Sequence, residues 1–205
     1  KNLSSQQEVK LTYKGFNISA MSWQPKSRFL LAEVTNLSSE CYFARFDISD
    51  INNIPEPHLI KTCDKQAYGL AQLSLDGKQM FYLELDEKKL GREIYQFNLQ
   101  TKRTTTLVPS GNAQFGVTSM QISPDGEHLL YRWYERNKPA KIYLFNLLTR
   151  EQRVIFTQEK VLEFISIAWL PSGNHVSILQ GDILRFLNIN NQEYRTIKLP
   201  ISNYL

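Results

Sequence analysis

Apolar and polar side chains alternate along this chain in short runs. Nowhere does an apolar spacing of three and four persist for the ~12 residues that an amphipathic helix needs. The clearest runs are Phe46-Asp47-Ile48, Phe97-Asn98-Leu99, Phe145-Asn146-Leu147 and Leu187-Asn188-Ile189. A period of two sends alternate side chains to opposite faces of a strand. Each run follows a tight-turn signal: Gln24-Pro25-Lys26-Ser27, Leu75-Asp76-Gly77, Pro124-Asp125-Gly126 and Pro171-Ser172-Gly173. The turn position steps from Ser27 to Gly77, Gly126 and Gly173, about every 48 residues, which is a spacing typical of propeller blades.

Each copy reads strand, tight turn, strand, variable loop, strand, hairpin, strand. A single four-stranded sheet cannot bury both faces, whereas copies stacked radially can. The pattern predicts an all-β chain: a β-propeller, or part of one, with four antiparallel blades near 13–63, 64–109, 110–158 and 159–200. Residues 7–12 read as one extra N-terminal outer strand, because Lys10-Leu11-Thr12 sits where Ile60-Lys61-Thr62 sits one copy later. A partial ring leaves apolar sheet faces open, which should drive association, either with a second copy as a homodimer or with another partner.

Cys41 begins the third strand of the first copy and Cys63 ends its fourth, in a hairpin turning near Asn52. Cross-strand partners stand about 5 Å apart at Cβ, close to disulfide geometry. The pattern predicts a Cys41–Cys63 bridge, with two buried free thiols as the alternative. A bridge implies an oxidising compartment.

The 205 residues carry a net charge of +4, with 24 basic side chains scattered among 20 acidic ones. Nucleic-acid binders concentrate basic charge on one face, so direct nucleic-acid contact is not expected. No apolar run approaches the roughly 18 residues of a membrane span. The chain starts at Lys1 rather than Met, which suggests a processed or truncated piece, with any membrane tether outside it.

Ile122-Ser123-Pro124-Asp125-Gly126-Glu127-His128 resembles the TolB-type WD-like repeat, whose Ser-Pro-Asp-Gly turn links the first two strands of a blade. Gln72-Leu73-Ser74-Leu75-Asp76-Gly77 matches with Leu75 in the proline position. The turns at Pro25 and Pro171 lack the aspartate, and the first also lacks the glycine. Such blades occur in the periplasmic region of membrane-anchored transcriptional regulators similar to CadC and ToxR, in the periplasmic scaffold TolB, and in the gating propeller of prolyl-oligopeptidase-type hydrolases. The resemblance implies a non-enzymatic module in the periplasm that binds a protein or small ligand, with the regulator setting preferred.

Little chemistry stands out beside this architecture. No Gly-x-Ser-x-Gly elbow is present, and no catalytic residue is assigned. No cofactor and no metal is expected. His128 and His175 share one turn position, but two histidines without convergent carboxylates are too few for a metal site. Asp76 and Asp125 read as turn residues that accept backbone amides. Trp23 and Trp169 read as core. The candidate partner-binding rim comprises Trp133, Tyr134, Glu135 and Arg136 in the third copy, and Asp86, Lys88 and Lys89 at the equivalent place in the second. Asn2, Asn17 and Asn36 head glycosylation-type triplets, which carry no meaning in a bacterial envelope.

Overall fold

The computed structural model describes residues 13, 15–24, 26–50, 52–63, 71–86, 91–111, 114–158 and 165–200. The strand expected over 7–12 lies outside them. All regular elements among the described residues are strands: β1 (Phe16–Trp23), β2 (Phe29–Asn36), β3 (Cys41–Asp47), β4 (His58–Cys63), β5 (Ala71–Leu73), β6 (Gln79–Asp86), β7 (Gly91–Asn98), β8 (Thr104–Val108), β9 (Phe115–Ile122), β10 (His128–Glu135), β11 (Lys141–Asn146), β12 (Gln152–Thr157), β13 (Ile165–Trp169), β14 (His175–Gln180), β15 (Ile183–Asn188) and β16 (Tyr194–Lys198). They pair antiparallel in sequence order within β1–β4, β5–β8, β9–β12 and β13–β16. The chain divides into two compact units: Lys1–Asp86 with Arg92–Pro109, and Glu87–Gly91 with Ser110–Leu205.

The four copies share their turns bond for bond. The amides of Ser27, Gly77, Gly126 and Gly173 donate to the carbonyls of Gln24, Ser74, Ser123 and Leu170. The amides of Gln24, Ser74, Ser123 and Leu170 in turn reach the carbonyls of Phe29, Gln79, His128 and His175. The three glycines take φ of 67°, 79° and 74°, a region open to a residue without Cβ. The first copy has no glycine there, and Lys26 carries the positive φ instead, at 53°.

The polar residue inside each apolar–polar–apolar run caps the next turn. Asn98 Oδ1 accepts the amides of Gln100 and Thr101, Asn146 Oδ1 those of Leu148 and Thr149, and Asn188 Oδ1 that of Asn190. Asp47 does the same for Ser49. Short Asx side chains favour this because they mimic a backbone turn. A bulge recurs between the third and fourth strands, at Phe43/Ala44, Ile94/Tyr95 and Ile142/Tyr143, while β15–β16 pair without one. Each bulge inserts one residue and adds local twist.

In the first unit, Leu31, Cys41, Phe43, Ile60 and Cys63 of one sheet pack with Ala71, Leu73, Met80, Tyr82 and Phe97 of the next. Leu30, Ala32, Val34, Ala44 and Phe46 form a separate cluster on the opposite face of the first sheet. In the second unit, Leu130, Ile142, Leu144 and Ile155 pack with Ile165, Ile167, Val176, Ile178, Leu187 and Ile189. Alternation in β2 explains the two clusters, since Leu30 and Leu31 must face opposite ways. Cys41 stands opposite Cys63 in the β3–β4 register, and the two are joined by a disulfide with a Cα–Cα distance of 5.1 Å.

Trp23 does not belong to the core: it is 60% exposed. Trp169, its counterpart in the fourth copy, packs against the core and donates its indole N–H to the Gln121 carbonyl at 3.2 Å. Trp169 rests on the sheet of the preceding copy in its own unit. Among the described residues of the first unit, no sheet precedes β1.

Candidate functional site

The β10–β11 connection is held by its own side chains. Trp133 pairs with Lys141 across the hairpin, and Trp133 Nε1 donates to Glu135 Oε1 at 3.0 Å. Lys138 Nζ donates to the other carboxylate oxygen, Oε2, at 2.5 Å, while the Lys138 amide closes the turn on the Glu135 carbonyl. Asn137 sits at φ 60°, a conformation that asparagine tolerates better than most side chains. The Lys138 and Trp133 hydrogen bonds hold the Glu135 carboxyl below the ordinary carboxylate value, so it stays charged at neutral pH.

These groups wall a hollow of about 230 Å3, lined by Trp133, Glu135, Lys138, Pro139, Lys141 and Thr157. One wall is an indole and an aliphatic ring, and the mouth carries two lysines and one carboxylate. Such a site suits a ligand with a flat apolar part and an anionic group. No nucleophile–base pair lines it.

Trp133, Glu135 and Lys138 therefore come together, and Lys138 is a member that the sequence alone did not single out. Its signal was available as the i, i+3 spacing across a turn. Tyr134 lies apart and packs on Phe115, with ring centroids 5.5 Å apart. Arg136 is exposed at the tip of the connection. In the second copy, Asp86 ends β6, and Lys88 and Lys89 lie outside the described residues.

His128 and His175 begin β10 and β14 at the same repeat position, and no grouping of metal-binding side chains among the described residues includes both. Asp76 and Asp125 do hold their turns. Ser74 Oγ and the Lys78 amide donate to Asp76 Oδ1, and Ser123 Oγ and the Glu127 amide to Asp125 Oδ1.

No protein-family model and no curated protein matches the chain. Among solved structures it is similar to TolB from Acinetobacter baumannii, with a TM-score of 0.68 and 16% identity over 90% of this chain and 44% of that one. It is also similar to the β-propeller domain of the Trilobed protease from Pyrococcus furiosus, which has an open velcro topology (TM-score 0.63, 16% identity, 92% of this chain and 59% of that one). A prolyl endopeptidase gives a TM-score of 0.62 at 14% identity, over 90% of this chain and 30% of that one. The chain thus spans less than two thirds of each. At these identities the likeness shows fold alone, and that fold is the β-propeller.

Proposed function

We propose that this chain is a non-enzymatic binding module that captures a protein or small ligand on the β10–β11 connection of its third blade. The observation that carries the proposal is the hollow between Trp133, Glu135 and Lys138, where an aromatic wall and fixed charges are arranged before any ligand arrives. Preorganised aromatic and charged groups of this kind anchor partners because little ordering remains to be done on binding.

The Cys41–Cys63 bridge supports an oxidising location, and a periplasmic one agrees with the TolB-type fold. In that setting the module is the sensory region of a membrane-anchored transcriptional regulator, tethered through segments outside this chain and making no nucleic-acid contact itself. The alternative is an envelope scaffold or a gating propeller, favoured by the TolB and peptidase propellers that share the fold.

A photo-reactive amino acid at Arg136, in the full-length protein in its own cell envelope, tests the binding role. A discrete crosslinked product is expected from Arg136 and none from the exposed turn residue Leu148, and Trp133→Ala should abolish it. Equal labelling from both positions, or none from Arg136, would overturn the proposal.

A further inference from the structure

The turn between β9 and β10 carries more than its architectural role requires. Asp125, Glu127 and His128 bring one ligand atom each within 4.8 Å of one another. We propose that these three side chains form a divalent-cation site. The class is the borderline transition metals, Zn2+ foremost, because the donors mix an imidazole nitrogen with carboxylate oxygens. This revises the expectation, drawn from counting histidines, that the turn holds no metal.

One further observation on the cluster points to a ligand. His128 Nδ1 is a buried ring nitrogen with no hydrogen-bond partner among the described residues. Buried polar atoms are nearly always paired, and a vacant imidazole nitrogen is a natural metal ligand.

The geometry needs only modest closure. Bonds of about 2.0–2.2 Å to a tetrahedral ion set ligand atoms roughly 3.4 Å apart. Asp125 is held by its turn, so the remainder comes from the exposed Glu127, whose side-chain torsions rotate.

The repeat supplies an internal control. The fourth blade has a histidine at the same place, His175, yet Ser172 and Asn174 stand where Asp125 and Glu127 stand in the third. The second blade has Asp76 followed by Lys78 and Gln79. Only the third turn carries all three donors, and the first and fourth turns close without any of the carboxylates.

Calorimetric titration of the full chain with Zn2+ tests this. One site per chain is expected. His128→Gln and Glu127→Gln should each weaken it by more than about tenfold, since even changes outside the ligand shell cost 10–100-fold. His175→Gln should leave it unchanged, and Ca2+ should give no heat, because calcium takes all-oxygen ligand sets. Circular dichroism of each variant confirms that the sheets persist. The absence of any Zn2+ binding overturns the site, as does binding indifferent to His128→Gln or lost equally in His175→Gln.

Discussion

Gln121 donates its side-chain amide to the carbonyl of Ile167 at 2.9 Å, tying the first strand of one blade to the first strand of the next. In the other unit Ser22 Oγ reaches the Ala71 carbonyl at 2.6 Å, and these four residues occupy matching repeat positions. A recurring polar tie of this kind fixes how far one sheet slides on its neighbour, which apolar packing alone leaves loose. Gln121→Ala and Ser22→Ala should each lower stability by about 1 kcal/mol, the usual net worth of a hydrogen bond whose acceptor is left behind. Urea unfolding measures it; midpoints equal to wild type in both variants would mean the ties are incidental.

The bridge between Cys41 and Cys63 closes a sequence separation of 22 and lies inside the apolar cluster joining the first two sheets. Cross-linking a loop of this length restricts the unfolded chain by about 3 kcal/mol in the chain-entropy account. The Cys41→Ala/Cys63→Ala variant should lose stability of that order, and reductant should shift the wild type alone. Mass spectrometry without reductant should find the two residues joined. Two alkylatable thiols in the native protein would refute the bridge.

The aspartate turns make the fold acid-sensitive. The Ser74 hydroxyl bond, then the Lys78 amide bond, hold the Asp76 carboxyl below its ordinary value of 3.8. A carboxyl depressed in the folded state adds stability that is complete above its unfolded value. That stability drains away as pH falls through the lower folded value. Asp76→Asn should therefore be less stable than wild type at neutral pH, and the gap should narrow as pH falls below roughly 5 and close below the folded value. A gap that stays constant across that range would show that the charge itself contributes nothing.

How far the sequence reached depended on whether a feature repeats. Gly77, Gly126 and Gly173 were readable as matching corners because positive φ selects glycine, and Asn98, Asn146 and Asn188 because capping selects short Asx side chains. Lys26 at positive φ was not readable, since nothing in its residue type announces it. Trp23 and Trp169 share a repeat position but differ in burial, because burial is set by the neighbouring sheet rather than by a strand's own pattern. The Gln121 and Ser22 ties were hidden by unlike side chains doing one task. At the candidate rim, Trp133 and Glu135 were visible as an aromatic beside a polar loop. The convergence of Lys138 on them, and of Asp125 and Glu127 toward His128, depends on how each turn folds back.

Gly173 and Gly111 both sit at positive φ, 74° and 59°, but only Gly173 has a close neighbour. Alanine at either position meets the left-handed penalty of roughly 1–2 kcal/mol. At Gly111 nothing lies within 4 Å of the new Cβ, so that penalty stands alone. At Gly173 the Cβ would press on Asp125 Oδ2 at 3.3 Å. That carboxylate cannot swing away freely, because its other oxygen is held by Ser123 and the Glu127 amide. Gly173→Ala should therefore destabilise more than Gly111→Ala, and by an amount that Asp125→Ala partly removes when the two changes are combined, as residues in contact couple. A double-mutant cycle in urea measures the coupling. Equal losses at the two glycines, with strictly additive behaviour at Asp125, would show that the two blade turns do not press on each other.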